Sequence, residues 1–228
     1  MTPWTLLDTA HVPGQHGAGS ALRLYQRGTE FSIKAGNCEL MNSRVHGSED
    51  ALAELGCARI AGCAQPRVLI GGLGMGYTLA AALHHLGADA EVVVAELVPA
   101  VVLWNRGPLA HLAGQPLDDA RVTVRELDVG EVMRANSEAF DAILLDVDNG
   151  PEGLTRKAND WLYGLDGLDA AYAALRPGGV LAVWSAGAEP VFTQRLCKIG
   201  FSVEETRVRA HGGKQGARHT IWLAVRSV

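Results

Sequence analysis

The sequence predicts a doubly wound α/β fold, in which a mostly parallel seven-stranded sheet ends in an antiparallel hairpin and follows a small N-terminal β-region. Three observations predict it. Short valine-rich apolar runs alternate with Ala- and Leu-rich stretches after residue 65. A glycine-rich loop follows the first run, and an acidic residue stands at the end of each of the next three. Short runs that are apolar throughout are typical of strands covered on both faces, as in a parallel sheet.

The first part of the chain predicts a small antiparallel sheet, and we separate this N-terminal region (1–50) from a Rossmann-like domain (51–228). Alternating apolar and polar residues favour strands there, and glycines favour the tight turns between them. The predicted strands and turns are Leu22–Tyr25, Gly28, Phe31–Ile33 and Gly36–Asn37. A helix that begins on a serine cap is predicted at Ser48–Cys57.

The Rossmann-like domain is predicted from strands and helices that alternate along the chain. The predicted parallel strands are Val68–Ile70, Val92–Ala95, Val122–Val124, Ala142–Leu145 and Val180–Trp184. The predicted helices are Thr78–Leu86, Pro99–Arg106, Val132–Asn136, Leu165–Leu175 and Pro190–Ile199. Arg176–Gly179 predicts a helix stop and a tight turn into the last parallel strand, because proline and glycine end helices. Phe201–Arg209 and His219–Val225 predict the closing hairpin.

Composition and charge exclude several classes of protein. Apolar residues make up 48% of the 228 residues and charged residues 20%, so the chain can bury a sizeable core. The net charge of −5 argues against a nucleic-acid partner, which needs clustered Lys and Arg. The most apolar stretch, Val68–Leu83, is shorter than the roughly 20 apolar residues that span a bilayer, so no membrane partner is expected. The four cysteines lack C-x-x-C spacing and no export signal precedes them, which predicts reduced, buried thiols in a cytoplasmic protein.

A glycine loop stands between the first predicted strand of this domain and the helix that follows it. Gly72, Gly74 and Gly76 allow the backbone to turn sharply and to approach a ligand closely. The helix then offers its free N–H groups to that ligand. The alternative is that the glycines only pack a strand–helix turn.

Two acidic residues extend this pattern to a nucleoside pocket. Glu96 ends the next strand, where a carboxylate can accept hydrogen bonds from both ribose hydroxyls of a nicotinamide dinucleotide or an adenosine nucleoside. Asp128 ends the third strand, where its carboxylate can accept a hydrogen bond from the adenine amino group. Backbone N–H groups at Val129 can donate a hydrogen bond to the adenine ring nitrogen. Asp128 favours the adenosine nucleoside, because a dehydrogenase would leave this residue unexplained. Both acids could instead be solvated strand ends.

The fourth strand ends in two carboxylates, Asp146 and Asp148. They leave a buried strand where the strand order of a doubly wound sheet reverses, which is where ligands bind. Unpaired acids there are costly, so a cationic amine is the simplest partner. The alternative is that the two acids cap the following segment.

These motifs resemble the spermidine synthase (polyamine aminopropyltransferase) family, and more closely its short bacterial spermidine-synthase-like members. The resemblance covers about Glu30 to Val225. The family's glycine loop has the pattern G-G-G-D-G-G-T, and its acidic segment has the pattern D-x-x-D-P-x-G-P. The matching residues here are Gly72, Gly74, Gly76 and Thr78 in the loop, and Asp146, Asp148, Gly150 and Pro151 in an acidic segment one residue shorter.

The resemblance implies a class I methyltransferase-like sheet and a transferase of polyamine biosynthesis. The donor would be decarboxylated S-adenosylmethionine, held at the loop, with Glu96 on the ribose and Asp128 on the adenine. Asp146 would take the proton of the attacking amine, and Asp148 would hold the rest of the cationic acceptor. The partners implied are a small amine substrate and a second copy of the chain in a homodimer.

Met75 is the main departure from the family, whose loop carries an aspartate that helps to hold the donor's ammonium. Methionine cannot hold a cation in that way. The absence of this acid suits intact S-adenosylmethionine, because a neighbouring acid would repel the carboxylate of that donor. An aspartate at position 75 should therefore tighten the decarboxylated donor and weaken the intact one. Three functions stay open: an aminopropyltransferase-like enzyme, an S-adenosylmethionine-dependent small-molecule methyltransferase, and a non-catalytic nucleoside-binding protein. No metal is expected, because the histidines do not form a spaced ligand set.

Overall fold

The computed structural model describes residues 2–13, 21–147, 159–209 and 218–228, with residues 159 and 160 described by their backbone alone. Its N-terminal part is an antiparallel sheet of four strands that pair in sequence order. These strands are β1 (Thr5–His11), β2 (Ala21–Arg27), β3 (Glu30–Ala35) and β4 (Cys38–Asn42). Gly28 and Gly36 make the two tight turns with φ of +61° and +59°, in the left-handed region that glycine enters without strain.

The second sheet has seven strands in the order β10-β11-β9-β8-β5-β6-β7. They are β5 (Arg67–Gly71), β6 (Glu91–Ala95), β7 (Val122–Arg125), β8 (Phe140–Leu145), β9 (Leu175–Ser185), β10 (Phe201–Arg209) and β11 (Arg218–Arg226). Strands β5 to β9 run parallel, and β11 pairs antiparallel with both β9 and β10. This architecture confirms the predicted doubly wound sheet with its hairpin and its N-terminal β-region. The strand order reverses between β5 and β8, which opens a crevice at their carboxyl ends.

Helices cover both faces of this sheet. They are α1 (Gly47–Ala58), α2 (Tyr77–His85), α3 (Pro99–Arg106), α4 (Val129–Arg134), α5 (Asn159–Leu162), α6 (Leu165–Ala174) and α7 (Pro190–Ile199), together with a short 3-10 helix at Pro116–Asp118. Along β5, Val68 and Ile70 pack into the core on the side of α1 to α3, and Leu69 packs into the core on the side of α4, α6 and α7. Strands buried on both faces explain why these runs are apolar throughout.

The sequence prediction is wrong about the beginning of β9 and about the burial of the cysteines. Arg176–Gly179 is not a turn before the strand, because β9 already begins at Leu175. Leu175 pairs with Phe140 and Val180 pairs with Ala142, so the intervening residues form a wide irregularity in β9, with Gly178 at φ +79°. The thiols also differ from the expectation, since Cys57 alone is buried and Cys38, Cys63 and Cys197 are exposed.

Among the described residues, no helix is long and apolar enough to cross a membrane.

Candidate active site

A cavity of about 320 Å³ lies at the carboxyl ends of β5, β6 and β8, where the strand order reverses. Its floor and one wall come from the loops that follow these strands. The other wall comes from the end of the N-terminal sheet and from the first turn of α1. The lining includes the predicted residues Gly72, Gly74, Glu96, Asp128, Val129 and Asp146. The fold therefore brings together acids that are far apart in the sequence.

Two glycines of the loop after β5 line the cavity, and both have a positive φ that side chains disfavour. Gly72 has φ +88°, and a Cβ there would clash with the backbone oxygen of Asp146. Gly74 has φ +54°, and a Cβ there would lie 2.8 Å from Cε of Met41, which comes from the N-terminal sheet. Gly76 ends the loop as the residue before α2, with φ +84°. Its carboxamide neighbour Asn105 donates a hydrogen bond of 2.8 Å to the oxygen of Gly74 and fixes the loop from behind.

Glu96 joins this loop to the next strand end. Its side chain is buried, and its two oxygens accept hydrogen bonds from the backbone N–H groups of Leu73 at 2.9 Å and Val98 at 2.8 Å. These bonds use one lone pair on each carboxylate oxygen. Glu96 thus holds the loop in shape and lies at the cavity where the sequence places the ribose.

Asp128 caps helix α4. Its Oδ1 accepts a hydrogen bond of 2.8 Å from the N–H of Gly130, which explains why α4 begins at Val129 and not at the predicted Val132. A Cβ on Gly130 would clash with the ring of Trp161. This capping role was not predicted for Asp128, and it is compatible with the nucleoside role because a carboxylate has a second oxygen.

Asp146 follows β8 at the cavity floor. Its Oδ2 accepts a hydrogen bond of 2.6 Å from the hydroxyl of Thr78, the last residue of the predicted loop motif. Burial, with a smaller contribution from the charge of Glu49, raises the pKa of Asp146 from 3.8 to about 7, against the lowering effect of the Thr78 hydroxyl. A carboxyl that titrates near neutrality can accept a proton and release it again at physiological pH. The predicted Asp148 lies outside the described residues, as do Gly150 and Pro151.

Glu49 is a further acid in the cavity, and sequence reasoning missed it. It lies in the first turn of α1, where acids are common because they favour the positive end of the helix. The predicted serine cap is also wrong, since α1 begins at Gly47 after His46, and the Ser48 hydroxyl donates to Glu49 at 2.6 Å. The sequence carries no signal for this role of Glu49, because it depends on tertiary packing. The first turn of α1 reaches the carboxyl ends of strands that come later in the chain.

Met75 does not present its side chain to the cavity. It is fully buried in the hydrophobic core, whereas the cavity is lined by its neighbour Gly74. The loop therefore offers neither an acid nor a methionine side chain to a donor, and a contact of Met75 with a donor would have to come from its backbone. Within the described part of the chain, no group of three His, Cys, Asp or Glu residues is arranged to hold a metal.

No protein-family model and no curated protein matches the sequence. Solved structures do match the fold. The spermidine synthase from Thermotoga maritima has a TM-score of 0.74 and 16% identity, over 98% of this chain and 73% of that one. A spermidine synthase in complex with the transition state analogue AdoDATO has a TM-score of 0.73 and 16% identity, again over 98% of this chain and 73% of that one. The chain therefore has the fold of the spermidine synthases, as the sequence resemblance implies.

Proposed function

We propose that this chain is an alkyltransferase of the spermidine synthase type, which moves an aminopropyl group from decarboxylated S-adenosylmethionine to a small amine. The observation that carries the proposal is the position of Asp146. This carboxyl lies at the floor of a cavity that also contains the glycine loop, Glu96 and Asp128, and its pKa is raised to about 7. A donor pocket and a proton acceptor therefore share one enclosed space.

The cavity suits an adenosyl donor in size and in chemistry. Its volume of about 320 Å³ falls within the range of about 300–1,000 Å³ that is common for small-molecule sites. The buried Glu96 would bind the ribose hydroxyls, and Asp128 with the backbone of Val129 would bind the adenine. A solved spermidine synthase with the same fold is bound to the transition state analogue AdoDATO, which supports an adenosyl and amine pair in this cavity.

The reaction needs alignment and a base. The amine nitrogen forms a bond to the carbon of the donor next to sulfur, the C–S bond breaks with its electron pair going to sulfur, and methylthioadenosine leaves. The nitrogen gives up a proton, which Asp146 accepts. Alignment of the two substrates can lower the barrier by roughly 7–11 kcal/mol, and a general base adds typically ~10²–10⁴ in rate.

A small-molecule methyltransferase that uses intact S-adenosylmethionine is the second candidate. The observation in its favour is that Met75 is apolar and buried, so the loop adds no acid near the donor's carboxylate. The observation against it is that Glu49 and Asp146 both line the cavity, where they would repel that carboxylate. Binding of the decarboxylated donor in preference to the intact one, measured by calorimetry, would support aminopropyl transfer; the reverse order would support methyl transfer.

The first prediction concerns Asp146. Asp146→Asn keeps the size of the side chain but cannot accept the proton, so turnover should fall by about 10²–10⁴ while methylthioadenosine still binds. Turnover assays and thermal shift with methylthioadenosine measure the two effects. Asp169→Asn, an exposed change on α6, is the control and should leave both unchanged. Near-normal turnover of Asp146→Asn would assign the proton elsewhere, and no stabilisation of the wild type by methylthioadenosine would remove the proposed function.

A further inference from the structure

We propose that Glu49 is a further carboxylate of the proposed active site, which binds a protonated nitrogen of the acceptor together with Asp146, with Ser48 and His219 as its positioning residues. This inference rests on the function proposed above and names a residue that selects the charge of the acceptor.

The first observation is where Glu49 lies. Glu49 and Ser48 are both buried, in the first turn of α1, and both line the cavity that contains Asp146. The glycine loop contributes no charged side chain to this space, because Met75 is in the core. Glu49 therefore lies in the cavity wall formed by the N-terminal part of the chain, whereas Asp146 lies at the end of a strand.

The second observation is a chain of hydrogen bonds that fixes the Glu49 side chain. The Ser48 hydroxyl donates to Oε2 of Glu49 at 2.6 Å, and Nδ1 of His219 lies 2.9 Å from the same hydroxyl oxygen. A hydroxyl has one hydrogen, so when Ser48 donates to Glu49 it must accept from His219, which assigns the proton of neutral His219 to Nδ1. The His219 ring packs edge to face on Trp184 with centroids 4.8 Å apart. When Glu49 is ionised, the Ser48 hydroxyl therefore donates to Glu49 and accepts from His219 at the same time.

The third observation is that the charges in this space are acidic. Burial raises the pKa of Glu49, with Asp50 adding to this effect and Ser48 and His46 opposing it. Burial also lowers the pKa of His219, which favours its neutral form, and, in addition to burial, the charge of Glu49 contributes to the raised pKa values of Asp146 and Tyr77. Among the described residues, the side-chain hydrogen-bond partner of Glu49 is a neutral hydroxyl. Buried carboxylates without a cationic partner are costly, and a bound ammonium removes that cost.

The fourth observation is an unsatisfied donor in the same wall. Trp184 lines the cavity and is 9% exposed, and its Nε1–H has no hydrogen-bond partner among the described residues. Buried indole N–H groups normally have a partner. Trp184 packs against His219, which positions Glu49 through Ser48. We therefore expect a bound ligand to accept the hydrogen bond that the Nε1–H of Trp184 can donate.

Calorimetry on the full chain, saturated with methylthioadenosine, tests the proposal with α,ω-diaminoalkanes of three to six carbons and the matching monoamines. The wild type should bind the best diamine about 10- to 100-fold tighter than its monoamine, because a charge-assisted contact is lost in the monoamine. Glu49→Gln should remove this preference. Glu54→Gln, an exposed change on the same helix, should keep it. An unchanged preference in Glu49→Gln, or no preference in the wild type, would overturn the role of Glu49, while methylthioadenosine binding would leave the proposed function standing.

The pH dependence of turnover distinguishes an electrostatic role of Glu49 from a purely structural one, because a purely structural role would leave the pH profile unchanged. Glu49 contributes to the raised pKa of Asp146, so Glu49→Gln should shift the acidic limb of the turnover profile to lower pH. Ser48→Ala should weaken diamine binding, and Ser48→Thr, which restores the hydroxyl, should recover it. These Ser48 variants also decide the matter if Glu49→Gln fails to fold: equal diamine affinity in both would contradict the positioning role.

Discussion

At position 75, the structure places the side chain in the core, and this changes the expectation drawn from the sequence. The motif alone predicts that an aspartate at this position would tighten a decarboxylated donor. The Met75 side chain is fully buried among apolar groups and does not line the cavity. A carboxylate there would therefore lie in the core without a partner, and it would not meet the donor's ammonium.

The second prediction follows from that burial. Met75→Asp should lower the free energy of unfolding by about 3–5 kcal/mol, because it buries an uncompensated charge. Met75→Leu conserves the volume and should cost less than about 1.5 kcal/mol. Urea unfolding of the three proteins measures both changes. A stable Met75→Asp with altered donor affinity would instead place this side chain in the cavity.

Among the acids, the sequence predicted those that follow strands and missed the one on a helix. Glu96 and Asp146 could be identified because the carboxyl ends of parallel strands meet at one edge of a sheet. Their further roles could not be predicted from the sequence. Glu96 holds the loop by accepting two backbone hydrogen bonds, and Asp146 accepts a hydrogen bond from the hydroxyl of Thr78. Glu49 carries the ordinary pattern of an acid in the first turn of a helix, so its position in the cavity depends on tertiary packing alone.

Among the helices and strands, apolar periodicity and proline determined how well the boundaries could be predicted. α3 and α7 begin at the predicted residues because a proline stands at the first turn of each, and each ends at the predicted residue, directly before a glycine. The beginning of β9 was missed, since its Arg-Pro-Gly-Gly segment has the composition of a turn but lies inside the strand. Local composition does not distinguish a turn from an irregularity that neighbouring strands hold in the sheet.

The third prediction tests how closely the loop after β5 approaches the end of β8. Gly72→Ala and Gly36→Ala both place a Cβ at a positive φ, which costs about 1–2 kcal/mol. At Gly36 the added Cβ meets open space, whereas at Gly72 it clashes with the backbone oxygen of Asp146. Gly72→Ala should therefore be the less stable of the two by chemical denaturation, and it alone should lose methylthioadenosine binding. Equal stability of the two variants would show that the loop can move away from β8.

At the scale of the whole molecule, the cavity belongs to both sheets. Met41 from the N-terminal sheet packs against Gly74 of the loop, and Asp8 of β1 accepts a hydrogen bond of 2.7 Å from the indole of Trp104 on α3. One core cluster also contains residues from both sheets, such as Leu24 and Ile70. Hydrophobic periodicity predicts each sheet by itself, but it carries no information on how the two pack, and this packing adds residues of the N-terminal sheet, such as Met41, to the cavity wall.

The last prediction concerns how the stability of the empty protein depends on pH. The pKa of Asp146 is raised from 3.8 to about 7 in the folded protein, and that of Glu49 is also raised, mainly by burial. Between about pH 4 and 7, the folded state therefore holds protons that the unfolded state has released. The unfolding free energy falls as pH rises wherever the folded state binds more protons, so these two groups lower stability across this window and the loss levels off above it.

Asp146→Asn removes one of these titrations and isolates its contribution. Its stability relative to the wild type should rise steadily between about pH 4 and 7 and then stay constant, because the amide carries no charge to bury. Urea unfolding of both proteins at a series of pH values measures this difference, in which the titrations of groups that do not interact with Asp146 cancel. The exposed change Asp169→Asn should give a difference that does not follow this window. A flat difference for Asp146→Asn would mean that Asp146 titrates at its ordinary pKa, and the cavity would then lack the proton acceptor on which the proposed transfer depends.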